Sequence, residues 1–97
     1  MYARVVNTKM KPGKLQEAID LYNSSVIPAA QSQNGFKTAY LLSDWDNNTG
    51  ISVSLWESED AMKAGEASGY YQKQIAKFAE LFAEPPTSEN YEVTAKG

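Results

Sequence analysis

The chain has 97 residues, 42% of them hydrophobic and 22% charged, and carries a net charge of −3 from nine basic and twelve acidic side chains. That length suits one domain, expected over residues 1–97, with a modest core that needs no covalent staple. No cysteine means no disulfide or thiolate chemistry, and no histidine removes the commonest metal and haem ligand, so no metal site is expected. There is no basic patch and no apolar run of about 18 residues, so neither nucleic acid nor membrane is an expected partner, and a cytoplasmic setting is.

Residues 2–9 alternate as a strand, with Ala3, Val5 and Asn7 on one face and Arg4, Val6 and Thr8 on the other. Lys11-Pro12-Gly13-Lys14 is a turn into a long amphipathic helix, from Lys14 to about Gln33, in which Leu15, Ala18, Ile19, Tyr22 and Val26 share a stripe. Pro28 lies inside that pattern, lacks a backbone donor, and is expected to kink the helix or end its regular part near Ile27. Asn34-Gly35 is a stop signal.

A second strand runs from Phe36 to about Ser43, and Asp44 to Gly50 is a turn-dense connection to a third, which makes the pair a hairpin. The Asp44 loop has the oxygen-bearing residues of a calcium loop but not its closing glutamate, and reads as a turn. In Gly50-Ile51-Ser52-Val53-Ser54-Leu55-Trp56 the period is two: Ile51, Val53 and Leu55 face one way, Ser52, Ser54 and Trp56 the other. Ser58 is an N-cap with Glu59 and Asp60 in the first turn of a short helix ending near Ala67. A further helix is expected from Tyr70 to Glu84, striped by Tyr71, Ile75, Phe78 and Phe82 and stopped by Pro85-Pro86. Residues 90–96 alternate again as a fourth strand.

The order is β-α-β-β-α-β. Right-handed crossovers then place both helical segments on one face of an antiparallel sheet with strand order 4-1-3-2, the α+β ferredoxin-like arrangement. The other sheet face is left open, and whichever side of the third strand lies there, apolar surface is exposed. A two-fold homodimer packed sheet to sheet is the expected way to cover it.

Over roughly residues 2–95 the chain resembles the dimeric α/β-barrel superfamily, and within it the antibiotic biosynthesis monooxygenase-like domains. The matching features are the Lys11-Pro12-Gly13-Lys14 turn, Pro28, Gly35-Phe36 and, above all, the strand-to-helix junction Ser54-Leu55-Trp56-Glu57-Ser58-Glu59-Asp60-Ala61. The resemblance implies that Ile51, Val53 and Leu55 face a barrel shared by two subunits. Ser52, Ser54 and Trp56 would then face a pocket between sheet and helices, together with Ala3, Val5 and Asn7. Haem-degrading members pair a strand-one Asn and a strand-three Trp, matched by Asn7 and Trp56, with an iron-binding His. That His would fall near Glu66, and its absence excludes haem ligation of this kind.

Cofactor-free members of the family oxidise phenols to quinones with O2. On that model no cofactor is needed: Asn7, Trp56 and Ser52 would be the catalytic donors, standing around a developing anion, with Val5, Tyr22, Ser54, Tyr71 and Phe78 lining the site for a small aromatic or polyketide-like ligand. A base is missing from this set. Ordinary packing explains several of the same residues: Tyr22, Tyr71 and Phe78 sit on helix stripes, and Trp56 ends a strand. The alternative is a non-catalytic dimeric module that binds a small ligand. A cavity of roughly 300 Å³ or more, the lower end for ligand pockets, would favour the enzyme.

Overall fold

A computed structural model describes residues 1–97. Strand β1 (Tyr2–Lys9) is followed by α1 (Leu15–Leu21), a π-helical turn (Tyr22–Val26) and α2 (Ile27–Gln31), then by the hairpin strands β2 (Phe36–Asp44) and β3 (Thr49–Trp56). Helices α3 (Glu59–Ala67) and α4 (Tyr70–Ala76) lead to β4 (Thr87–Glu92). The strands form one antiparallel sheet in the order β2-β3-β1-β4, which is the ferredoxin-like topology expected.

The Ser58 hydroxyl caps α3 by accepting from the Ala61 N–H at 3.1 Å. The Asp44 carboxylate shapes the β2–β3 turn by accepting from the Asp46 and Asn47 backbone and from the Asn47 side chain. These bonds hold Asp44 below its ordinary pKa, the Asn47 side-chain bond contributing most. Gly35 closes the α2–β2 connection at φ +80°, with its carbonyl accepting from Glu57 N at 2.7 Å.

Three local expectations change. The irregularity expected near Ile27 is neither a kink at Pro28 nor a stop but a π-helical turn over Tyr22–Val26, immediately before the Ile27-Pro28 pair, and the run continues to Gln31. A wider turn moves the carbonyls that a proline ring would otherwise strike, so helix continuity is kept by a local change of pitch. The second helical stripe ends as a regular helix at Ala76, not Glu84; beyond it the bonds of Lys77, Phe78, Ala79 and Leu81 are tight three-residue turns. That segment then bridges Met10 through Phe82, with Lys11 N bonded to Leu81 O and Ala83 N to Lys9 O, so the end of β1 claims the backbone that a longer helix would have used. Finally, β4 begins at Thr87, directly after Pro85-Pro86, because its partner is the Tyr2–Asn7 stretch of β1; Val93 and Ala95 lie past its end.

The core lies between the helices and one sheet face, centred on Met10, Leu15, Ala18, Tyr22, Phe78 and Leu81. The other sheet face carries no helix. Tyr40, Leu42, Ile51 and Tyr91 are 56%, 54%, 36% and 50% exposed there, a set of large apolar side chains on a single surface.

Candidate functional site

Directly opposed residues in an antiparallel ladder share a sheet face. Across β1 and β3 the opposed pairs are Arg4 with Ser54 and Val6 with Ser52, while Val5 faces Val53 and Asn7 faces Ile51. On β2, Ala39 and Leu41 oppose Ser54 and Ser52. The helix-covered face is thus Arg4, Val6, Thr8, Ser52, Ser54, Ala39 and Leu41, and it forms the floor of a cavity whose roof comes from the helices.

Asn7 and Val5 therefore do not belong to this site, contrary to expectation. They lie on the open face with Ile51, Val53 and Leu55, where the Asn7 amide donates to Glu89 Oε1 at 3.4 Å. Trp56 is also displaced from its expected role. It is only 1% exposed, packs edge-on against Phe36 and Tyr70 with ring centroids at 5.4 and 6.4 Å, and donates its indole N–H to Ser54 Oγ at 3.0 Å. The indole stands behind the cavity wall and its one donor is used within the protein. Ser52, Ser54, Tyr22, Tyr71 and Phe78 do line the cavity.

The cavity is open to solvent on one side, about 70 Å³ in volume, and 13 of its 18 lining residues are hydrophobic. The few polar groups therefore decide what it can hold. Tyr22 Oη and Ser52 Oγ are 2.9 Å apart, and the Tyr22 hydroxyl also donates at 3.4 Å to the Tyr40 carbonyl. Burial raises the Tyr22 pKa above its ordinary value, and the bond to Ser52 opposes that only in part, so the phenol is a neutral donor. At 70 Å³ the enclosed space is well below the roughly 300 Å³ at the lower end of ligand pockets. It is also below the roughly 150 Å³ that takes up benzene in an engineered protein cavity. A ring bound here must protrude through the open side.

Among the lining residues that were not expected, two bear most on what the cavity can hold. Tyr70 packs over Gly65, where a Cβ would stand 3.0 Å from the Tyr70 ring, so glycine at that position lets the ring come close against α3. Arg4 is the second. It is 3% exposed, and its Nη2 donates to the Met62 carbonyl at 2.9 Å and lies 3.6 Å from Glu66 Oε1. Its guanidinium carbon sits 4.2 Å from the centre of the Tyr71 ring and 5.8 Å from that of Trp56, and its Nε has no hydrogen-bond partner. Burial lowers the Arg4 pKa and Glu66 opposes that effect, leaving the group cationic. The alternation Arg4, Val6, Thr8, Met10 held the signal: its last member is the buried apolar residue that marks the inward side. One edge of the site is tied shut by Ser25 Oγ, which donates to Gln74 Oε1 at 2.9 Å and accepts from Lys77 Nζ at 2.7 Å, joining the π-helical turn to α4.

A four-stranded antiparallel sheet with its helices on one face and a small apolar cavity beneath them defines an α+β domain of the ferredoxin-like class. Within that class the chain belongs to the antibiotic biosynthesis monooxygenase family, whose model matches residues 1–84. Solved structures share the fold at low identity. A monooxygenase, ActVA-Orf6 of Streptomyces coelicolor, in complex with nanaomycin D is 18% identical with a TM-score of 0.84, over 98% of this chain and 88% of that one. A variant of SnoaB, a cofactor-independent oxygenase from Streptomyces nogalater, is 17% identical at 0.78, over 98% and 95%. A protein of unknown function from Nitrosomonas europaea is 23% identical at 0.80, over 99% and 91%. No curated protein matches the chain. No helix is long and apolar enough to cross a membrane.

Proposed function

We propose that this chain is a cofactor-independent monooxygenase that oxidises a compact phenol with O2 in the cavity between sheet and helices. The observation that carries the reading is the Tyr22–Ser52 hydroxyl pair in an otherwise apolar, solvent-open cavity. Family membership supports it, as do structural neighbours described as monooxygenase and cofactor-independent oxygenase. In the reaction a ring carbon bearing hydrogen gains a C–O bond and the O–O bond breaks. One oxygen atom stays in the quinone, and the other leaves as water with the ring hydrogen and the phenol hydrogen. The electrons come from the substrate, so no reductant is consumed. The Tyr22–Ser52 pair turns one O–H to oxygen as charge develops on it, in exchange for the long bond to the Tyr40 carbonyl, and keeps the other within the pair. Ser54, Tyr71 and Phe78 form the walls, and Trp56 holds Ser54 in place. The chain acts as a single domain over residues 1–97, and the open sheet face is covered by a second copy.

The test is oxygen uptake with a panel of alkyl- and methoxyphenols, with the product followed by its quinone absorbance. One quinone per O2 without peroxide is expected, and Tyr22→Phe and Ser52→Ala should slow the reaction with the circular dichroism spectrum unchanged. No uptake above the buffer blank across the panel would end the reading. The small enclosed volume and the lack of any histidine favour one alternative, a non-catalytic module that holds a small ligand. Saturable binding of these phenols with no product would select it.

A further inference from the structure

Arg4 is the one charged side chain lining the cavity, and it is short of partners. A guanidinium offers several N–H donors in a fixed plane. Here one bond goes to the Met62 carbonyl, and the nearest carboxylate, that of Glu66, stays at 3.6 Å with its own side chain 34% exposed. The other elements packed on Arg4 bring no further charge: Tyr71 and Tyr70 come from α4, Trp56 and Ser54 from β3. A buried cation with one loose counter-ion and an orphaned donor is an incomplete arrangement, since buried charges are normally paired and fully hydrogen-bonded. The guanidinium thus has donor capacity to spare beside the cavity, and an anionic oxygen bound there against Arg4 takes it up.

Resting on the phenol-oxidising reading above, we propose that the cavity takes its substrate as an oxyanion, an ionised phenol or enol, whose oxygen is anchored by Arg4. The ring then lies along the apolar wall and leaves by the open side. This assignment also answers the lack of a base, because a substrate bound already ionised has no proton for the site to remove. Glu66 competes with the ligand for the same guanidinium and so weakens its hold.

4-Nitrophenol tests the proposal, because its anion absorbs at longer wavelength and reports ionisation of the bound ligand directly. The experiment needs no oxygen chemistry and is run on the whole chain. The bound ligand should ionise about one pH unit or more below its value in buffer, as expected beside a buried opposite charge. Arg4→Met should remove that shift and weaken the nitrophenolate roughly tenfold or more, the scale of a hydrogen bond to a charged group. Glu66→Gln should enlarge the shift and tighten the anion, and Asn7→Ala, on the other face of the sheet, should change neither. Should Arg4→Met fail to fold, Arg4→Lys carries the test: it keeps the charge, removes the Nε donor, and should weaken the anion severalfold. Nitrophenol that titrates when bound as it does in buffer overturns the proposal, as does a folded Arg4 variant that binds the anion like the parent chain, or a Glu66→Gln variant that binds it more weakly. Anion binding with no oxygen uptake upholds this proposal and discards the oxygenase. Oxygen uptake that Arg4→Met leaves unchanged does the reverse.

Discussion

Trp56 donates its indole N–H to Ser54 Oγ at 3.0 Å, two residues back along the same strand face. The bond turns a potential substrate donor into a fixture of the wall, and it makes the two residues unequal under mutation. Trp56→Phe removes the donor together with some packing volume, and should cost about 2–3 kcal/mol in urea denaturation. Ser54→Ala removes one small hydroxyl yet leaves a buried N–H without a partner, so it should cost about 1–3 kcal/mol, well above an ordinary Ser→Ala change on a strand. A neutral Ser54→Ala would show that the bond contributes nothing.

Tyr22 ties the first helical run to the sheet through Ser52, and its pKa is raised chiefly by burial. A neutral phenol favoured in the folded state gives a contribution fully present below the unfolded value of 10.0 and lost as pH rises through the folded one. Stability should therefore be insensitive to this group up to about pH 9.5 and then fall. Tyr22→Phe should reduce that alkaline slope at a cost of about 1 kcal/mol near neutrality. Tyr70, raised for the same reason with Arg4 opposing, adds to the slope, as do Tyr2 and Tyr91, raised by their hydrogen bonds to Glu59 and Glu89. Denaturation midpoints between pH 8 and pH 11 measure the slope, and an unchanged slope in Tyr22→Phe would contradict the assignment.

Periodicity made the sheet order, the hairpin, the Ser58 cap and most of the apolar stripes legible, since each is written in local spacing. What it could not supply was parity between strands. Alternation divides β1 into two faces without saying which one meets the helices, and that depends on register with β3, where Val5 opposes Val53 and Arg4 opposes Ser54. Arginine is so rarely buried that the face carrying Arg4 reads as the outer one. The π-helical turn at Tyr22–Val26 and the early end of α4 are likewise tertiary outcomes, one set against a proline and the other against the backbone of Met10. Of the candidate site residues, those on helix stripes and on β3 reach the cavity except Trp56, while the two from β1 do not.

Asn7 lies beside the exposed Leu42–Ile51 surface, so mutations there separate assembly from the cavity. Leu42→Glu places a charge on the apolar face proposed for the second copy, where an unpaired carboxylate is costly to bury. By light scattering at micromolar concentration the parent chain should have the mass of a dimer and Leu42→Glu that of a monomer. Phenol binding in the cavity should survive Asn7→Ala. A monomeric parent chain at that concentration would refute the covered face.

Gly35 answers two demands at once. Its φ of +80° lies in the left-handed region, and a Cβ there would stand 2.5 Å from the Ala61 Cβ of α3. No side chain relieves that contact, because the neighbouring atom is itself a Cβ fixed to the helix backbone, one turn after the Ser58 cap. Gly35→Ala thus combines backbone strain with overpacking and should cost about 2–4 kcal/mol. The strain falls on the junction where Glu57 N donates to the Gly35 carbonyl, next to Trp56 and the wall of the cavity. Gly13 gives the internal comparison: its φ is +77°, but a Cβ there would meet nothing within 4 Å, so Gly13→Ala should cost only about 1 kcal/mol. Denaturation midpoints of the two variants, measured side by side, separate the contribution of the Ala61 contact from that of the backbone angle. Equal losses would mean that α3 shifts freely to admit the methyl group.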